Sequence, residues 1–345
     1  MEFLPCPDVR ASNNRTRALR RQDIFLIDDV VTVSAPARLH LGFLDPGGSL
    51  GRRFGGIGLA LDAPSTTIRI RRAASDRVFG ESIERAAHHL VRLREALGIA
   101  GAHELDVASA IPPHAGLGSG TQLALAIACG LRRLEGLPLD PASDATLLGR
   151  GSRSGLGVAF VTGGGVAVDG GKGGSELPPP LIAHLDFPEA WRAVLVIDPN
   201  DVGFHGQDEL DAFAALPPFP EAHAARICQL VLMRALPGLA ESDLPAFGAA
   251  IAEIQQKVGA HFASAQGGVF TSRRVAAACE WLAANGAHGI GQSSWGPTGF
   301  AFCESAAAAD RLVGRLVATG LGEGLDIRIA RGRNRGIEID PPPAM

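Results

Sequence analysis

The stretch Pro112-Pro113-His114-Ala115-Gly116-Leu117-Gly118-Ser119-Gly120-Thr121-Gln122 runs straight into a segment with Leu123, Ile127, Leu131 and Leu134 at helical spacing. A glycine-rich turn that opens an amphipathic helix leaves backbone N–H groups unpaired at the positive end of the helix dipole. The pattern therefore predicts an anion site, and phosphate is the natural occupant. No Lys-Ser/Thr pair follows the last glycine, which excludes a Walker A loop, and the G-x-G-x-G spacing is not a dinucleotide fingerprint. The same residues also read as a helix start that binds nothing.

Outward from that loop the chain alternates strand and helix patterns. β-rich segments begin near Ile24 and continue through Val30–Val33, Ile57–Leu61 and Thr66–Arg71, followed by a helix from Ser82 to Gly98 and a strand over His103–Ala108. A second glycine-rich passage covers Gly149 to Gly174, with a strand at Gly165–Asp169, and Pro178-Pro179-Pro180 interrupts regular structure. Beyond it lie a strand at Trp191–Asp198, helices over 207–215, 221–235, 243–257 and 272–285, strands at 288–292 and 300–303, a helix over 305–319 and a strand at 326–330. Without the extra helices this order is β-α-β-β-α-β, the ferredoxin-like split βαβ pattern. We therefore expect an α+β protein with a loosely ordered extension over 1–23, a first domain over 24–185 and a ferredoxin-like second domain over 186–345.

Composition narrows the function. The 345 residues are 46% hydrophobic and 20% charged, which excludes wholesale disorder, and no apolar run approaches the roughly 20 residues of a membrane helix. A formal net charge of -4 argues against a nucleic-acid coat. Of the 32 basic residues all but Lys172 and Lys257 are Arg, a bias that GC-rich coding explains, although Arg also suits bidentate phosphate contacts. The 5 cysteines are odd in number and lack C-x-x-C spacing, so neither a disulfide framework nor a zinc site is encoded and a cytoplasmic setting is expected. Phe25 to Thr32 resembles the apolar-Asp-Asp start of the diphosphate loop of ordinary phosphoribosyltransferases, but no Gly-rich turn follows Thr32, so it reads as a strand with a polar edge. His88-His89 in a helix points its rings about 100° apart, a poor metal pair, and His205 to Glu209 is a polar insert at a helix start.

Pro112 to Gly120 resembles the P-x-x-x-G-L-G-S-S phosphate loop of the GHMP superfamily of small-molecule kinases, and Gly289-Ile290-Gly291-Gln292-Ser293-Ser294-Trp295-Gly296-Pro297-Thr298-Gly299 sits where that superfamily has its C-terminal glycine motif. Gly120-Thr121-Gln122 departs from the kinases' Ser-Ala-Ala. The resemblance is closer to a non-kinase branch, β-ribofuranosylaminobenzene 5′-phosphate synthase, at Ser34 to Phe43, Phe54 to Leu59, Gly149 to Gly157, Val168 to Gly171 and Gln292 to Thr298.

That resemblance implies a two-domain GHMP-kinase-type fold and a homodimer. It also implies condensation of 5-phosphoribosyl 1-diphosphate with 4-hydroxybenzoate or 4-aminobenzoate, with loss of CO2 and diphosphate, in methanopterin assembly. Departure of diphosphate demands charge neutralisation, with Mg2+ assisting. Gly116, Gly118, Ser119, Gly120 and Thr121 suit one phosphate; Arg150, Arg153 and Lys172 on the second glycine passage suit the other. Arg38 and His40 are the candidates for the benzoate end, and Asp169 is a candidate acid/base or metal ligand. Ser293 and Ser294 of the C-terminal motif, and Arg333 and Arg335 of the Arg331–Gly336 loop, complete the candidate substrate contacts. The metal ligands are not specified. Each has a structural alternative: His40 as a satisfied core or edge residue, Asp169 as a turn residue, Arg333 and Arg335 as a solvated charge run. The rival functions are an ATP-dependent kinase on the same fold and a metabolite-binding homologue without turnover.

Overall fold

The computed structural model describes residues 30–201, 203 and 216–341. The extension over 1–23, the strand start from Ile24 to Asp29, the helix over 207–215 and the polar insert at His205–Glu209 lie outside the described residues.

Two sheets carry the chain. In the first, β1 (Val31–Asp45) and β2 (Phe54–Ala73) form a long antiparallel hairpin. β3 (Arg77–Gly80), β4 (Ala102–Ser109), β5 (Val166–Asp169), β6 (Leu181–Leu185) and β11 (Glu338–Asp340) complete it in the order β11-β1-β2-β4-β3, with β5 paired to β2 and β6 to β5. Both hairpin strands are far longer than the sequence pattern indicates, because the glycines and prolines read as turns sit within strands. β1 keeps going through register shifts between Pro36 and Ala37 and between His40 and Gly42, bulges that bend a strand without ending it. Its odd-numbered residues face the core. Val31, Val33 and Ala35 meet helices α1 (Ile83–Leu97) and α2 (Ser119–Leu134), while Ala37, Leu39, Leu41 and Phe43 join a core shared with the second half of the chain. Strand alternation leaves Arg38 and His40 to the other side.

Helix α2 is buried from Gln122 through Leu131. Its small residues let it lie close to the sheet: a Cβ on Gly130 would be 3.0 Å from Ile70. Short helices α3 (Pro141–Leu147) and α4 (Leu156–Thr162) follow. A buried bidentate pair between Arg132 and Asp144, both contacts 2.7 Å, ties α2 to α3. Ser82 holds the position before α1, but it makes no side-chain cap bond there and its hydroxyl accepts from Arg85 instead.

The second sheet has the order β10-β7-β9-β8, from β7 (Arg192–Ile197), β8 (His288–Gln292), β9 (Thr298–Cys303) and β10 (Asp326–Ala330), all pairs antiparallel. This is the expected ferredoxin-like arrangement. Ahead of its main helix the chain runs through α5 (Glu221–Leu230), a π-turn at Val231–Ala235 and α6 (Leu236–Ala240), where one helix over 221–235 is expected from the sequence. Along β7, Val194 and Val196 pack on α8 (Arg273–Ala284) and α9 (Ala306–Ala318). Ala193, Leu195 and Ile197 face the opposite way, toward the long α7 (Leu244–Gln266). Helix α7 is therefore the layer between the two sheets, and it meets β1 at Gly42, beside His40 and Phe43. The chain then crosses back, and β11 closes onto β1 in the first sheet.

Candidate active site

The two glycine motifs meet backbone to backbone. A Cβ on Gly116 would stand 2.1 Å from the Ser293 carbonyl, and one on Gly296 would stand 2.2 Å from the Gly116 nitrogen. Only glycine fits this crossing. The Ser293 hydroxyl closes the junction: it accepts from the His40 backbone N–H at 2.9 Å and donates to the Gly116 carbonyl at 2.9 Å. Ser293 is thus a fully buried staple joining β1, the loop before α2 and the C-terminal motif. Its neighbour Ser294 is in the left-handed region at φ 57, a strained geometry for a non-glycine residue that places it beside open space.

That space is a cavity of about 230 Å³ lined by Arg38, His40, Thr121, Arg150, Arg153 and Ser294, with Phe43, Gly149, Gly151, Ser152 and Ser154 completing its wall. Six of the residues chosen from sequence therefore share one cavity, although they come from β1, the start of α2, the loop before α4 and the C-terminal motif. Gly118, at φ 76, takes the left-handed turn that begins α2. Of the loop itself only Thr121 and no glycine lines the cavity. Gly118 and Gly120 instead make room for guanidinium groups, since added Cβ atoms would lie 3.1 Å from the Arg38 side chain and 3.2 Å from Nη1 of Arg150. The helix start supplies its dipole and the arginines supply full charges, so both favour an anion at the same place.

Electrostatics point the same way. Among the described residues no carboxylate lines the cavity, and Arg150 makes no ion pair. Its buried Nε has no hydrogen-bond partner, and burial, then the nearby Arg85, pulls its guanidinium below the ordinary range. An uncompensated buried cation is costly unless a ligand completes it. His40 is 2% exposed, and burial followed by the Arg38 charge takes its imidazole from 6.5 to about 3. It is neutral at physiological pH, with Nε2 lacking a partner and the ring 4.5 Å from that of Phe43.

The remaining candidates lie elsewhere. Asp169 is fully buried and is not part of the cavity wall. It accepts from Ser154 Oγ, Gly155 N and Gly171 N, each at 3.0 Å. Burial raises its carboxyl despite these bonds, which tie the arginine-bearing loop to β5. Lys172 donates to the carbonyls of Glu176 and Leu177 at 3.0 and 2.9 Å. Arg333 is 4% exposed and donates to Ser34 Oγ, the Ser34 carbonyl and the Gly336 carbonyl; Arg335 pairs with Glu338 in solvent. Neither Arg333 nor Arg335 reaches the cavity. Sequence reasoning missed Phe43, Ser152 and Ser154. Ser152 and Ser154 flank Arg153, so the glycine-bounded Gly149–Gly155 loop was the available signal.

The chain matches the family model "GHMP kinases N terminal domain" over residues 81–165 and "GHMP kinases C terminal" over residues 235–320. It is 36% identical over 326 residues to the beta-ribofuranosylphenol 5′-phosphate synthase of Archaeoglobus fulgidus, covering 90% of this chain and 100% of that relative. To the beta-ribofuranosylphenol 5′-phosphate synthase of Methanothermobacter thermautotrophicus it is 31% identical over 338 residues, covering 88% and 97%. Among solved structures, homoserine kinase from Cytophaga hutchinsonii superposes with a TM-score of 0.66 at 20% identity over 91% of this chain and 98% of that one. Mevalonate diphosphate decarboxylase from Staphylococcus aureus gives 0.62 at 15% identity over 91% and 98%. These two likenesses concern the fold alone.

Proposed function

The chain belongs to the beta-ribofuranosylphenol 5′-phosphate synthase family, on the two-domain α+β fold of the GHMP kinases, and from that premise we propose that it is a decarboxylating phosphoribosyl transferase of methanopterin assembly. It joins 5-phosphoribosyl 1-diphosphate to 4-hydroxybenzoate, the acceptor that fits the phenol in the relatives' name. The ring carbon bearing the carboxylate bonds to the anomeric carbon, and the anomeric C–O bond breaks as diphosphate leaves with its electron pair. The C–CO2 bond then breaks, and its pair returns to the ring as CO2 departs. Charges balance without a net proton or an oxidant.

The observation that carries this reading is the convergence of Arg38, Arg150 and Arg153 on one cavity, with no carboxylate in its wall among the described residues. Negative charge grows on the leaving diphosphate, and fixed cations at a helix start stabilise it without reorganisation. His40, neutral and part of the cavity wall, orients the benzoate and takes no charge of its own; its buried Nε2 has no partner within the protein. Among the described residues no group of three or more His, Cys, Asp or Glu side chains is placed to hold a metal ion. Mg2+ brought in by the diphosphate would add its charge to that of Arg38, Arg150 and Arg153 in neutralising the leaving group. The enzyme works as a cytoplasmic homodimer; the described cysteines, Cys129, Cys228, Cys279 and Cys303, are all free thiols, as a reducing compartment requires.

The test is product analysis. With phosphoribosyl diphosphate, 4-hydroxybenzoate and Mg2+, the expected outcome is equimolar CO2, diphosphate and a C-riboside. Absence of all three, with ADP formed from ATP and a small alcohol instead, overturns the reading in favour of a kinase. Tight binding of the diphosphate with no turnover of either benzoate would make the protein a binding homologue.

A further inference from the structure

A second, narrower space opens off the cationic cavity between β1 and α7. His40, Phe43 and Ser294 line both. The walls of the narrow space beyond them are uncharged: Gly42, Val258, Gly259, Phe262 and Val269, with the amides of Gln255, Gln266 and Gln292. The Phe43 and Phe262 rings stand 6.0 Å apart at 76°, and Phe262 lies 4.5 Å from Trp295. We infer that this slot is the seat of the aromatic acceptor, an inference that rests on the transferase reading above.

The chemistry of the bond fixes the arrangement. Carbon–carbon bond formation needs the two reacting atoms about 3–3.5 Å apart in the bound pair, so the sugar and ring compartments must share a wall. The arginine cavity suits the doubly phosphorylated sugar, and the uncharged, aromatic-walled slot suits a flat ring. Because the attacking carbon is the one that carries the carboxylate, that end of the ring points to the junction at His40 and Ser294, near Arg38. The para substituent then points away from that junction, into the lining that carries the amides of Gln255, Gln266 and Gln292, whose existing bonds, Gln255 to the Gln292 N–H and Gln292 to Thr271, it would have to share.

The slot is about 20 Å³ as it stands, whereas a cavity that holds benzene is about 150 Å³. Val269 is one of the side chains that narrow it. It rests on Gly259, where a Cβ would come within 2.6 Å of Val269 Cγ1. Its turn follows Gly267, at φ 82, and Gly268, and it is 41% exposed, so it can swing outward without unpacking a core. The Gln266 side chain holds that turn down, donating from Nε2 to the carbonyls of Gly268 and Val269, each at 2.9 Å. Gln266 is thus both the latch of the closed slot and a partner available to the para substituent once Val269 moves away.

The test fills the slot. Gly259→Leu is expected to raise the KM for 4-hydroxybenzoate at least tenfold while the KM for phosphoribosyl diphosphate stays within twofold. In the absence of the sugar substrate, quenching of Trp295 fluorescence by 4-hydroxybenzoate should weaken by the same factor. Wild-type benzoate affinity in Gly259→Leu, or a parallel rise in both KM values, overturns the slot assignment. If Gly259→Leu does not fold, Gln266→Leu decides: it is expected to change the ratio of kcat/KM for 4-hydroxybenzoate over 4-aminobenzoate at least fivefold, and an unchanged ratio rejects the proposal. A wild-type protein that forms product with neither benzoate rejects the transferase reading itself, a different result from an active wild type with an indifferent variant.

Discussion

Gly149-Arg150-Gly151-Ser152-Arg153-Ser154-Gly155 and Arg331-Gly332-Arg333-Asn334-Arg335-Gly336 are close in composition, yet the fold uses them in opposite ways. In the second loop the fold supplies the acceptors. The Arg333 guanidinium reaches Ser34 and Gly336, Asn334 exchanges two hydrogen bonds with the Phe187 backbone, and the Arg333 backbone bonds Ala60 and Gly165. It is a seam between the two halves of the chain. In the first loop the carboxylate that the fold supplies, Asp169, is taken by Ser154 and Gly155; among the described residues none lines the cavity, and Arg150 keeps a buried Nε without a partner. Whether an arginine-glycine loop binds a ligand or a neighbouring strand depends on where its acceptors come from, and composition is silent on that.

The largest effect should come from the cavity loop. Arg150→Ala is expected to lower kcat/KM for phosphoribosyl diphosphate by about 10²–10³, the usual consequence of losing one preorganised charge-stabilising group. Its thermal unfolding should be unchanged or shifted upward, because the substitution removes a partly buried cation without an ion partner. Arg335→Ala, at an exposed pair, should leave both quantities unaffected. Equal losses of activity in the two variants would erase the distinction between the loops.

Asp169→Ala should reveal how the cavity loop is held. Its carboxylate satisfies two buried backbone N–H groups and the Ser154 hydroxyl, and each orphaned donor costs about 1–3 kcal/mol. A loss of about 3 kcal/mol in denaturant unfolding is expected, with activity falling as the Arg150–Ser154 segment loosens. A stable variant whose activity alone collapses would return Asp169 to a direct role in the chemistry. For the seam loop, Arg333→Ala should cost about 2 kcal/mol, since charge-assisted bonds contribute about 1.5–3 kcal/mol. The kcat/KM of the folded molecules should stay within twofold, measured at a temperature where both proteins are native.

The residues that could be found in the sequence share one property: they sit in, or next to, a glycine-bounded motif of opposite polarity to its surroundings. Arg38, His40, Thr121, Arg150, Arg153 and Ser294 qualify, and the cavity gathers them. The order of strands in the second sheet was likewise legible, because Trp191–Asp198, His288–Gln292, Phe300–Cys303 and Asp326–Ala330 are short apolar runs between clear helices. The lengths of β1 and β2 were not, since Gly42 and Pro64 interrupt the pattern while the hydrogen-bond ladder continues past them. Nor was the role of Asp169 or Arg333 visible, because their partners are backbone groups and carry no sequence signal. Helix α7 escaped as a contributor for a different reason: Gly259, Phe262 and Gln266 lie more than 200 positions from His40, and the helical pattern read from the sequence stops at 257 while the helix runs on to Gln266.

Acidification gives the smallest effect and separates the cavity side of the molecule from the seam. His40 is held at about 3 by burial and Arg38, and His89 at about 4 by burial and Arg150, so both depressed imidazoles face cavity arginines. No histidine occurs in the Arg331–Gly336 loop. The unfolded chain protonates these groups near 6.5, and the folded chain does so only near 3 and 4. Between those values the unfolded state binds more protons, so stability is fully present above pH 6.5 and declines as pH falls below it. At pH 5.5 the loss from His40 alone is about 1.4 kcal/mol relative to neutral pH, one pH step below the unfolded value. Denaturant unfolding at pH 7.5 and 5.5 should therefore show His40→Asn losing about that much less stability on acidification than the wild type, whereas Arg333→Ala should lose as much as the wild type does. An acid response that is the same in wild type and His40→Asn would mean that His40 is not held neutral at the cavity, and the orienting role given to it as a neutral group would fail as well.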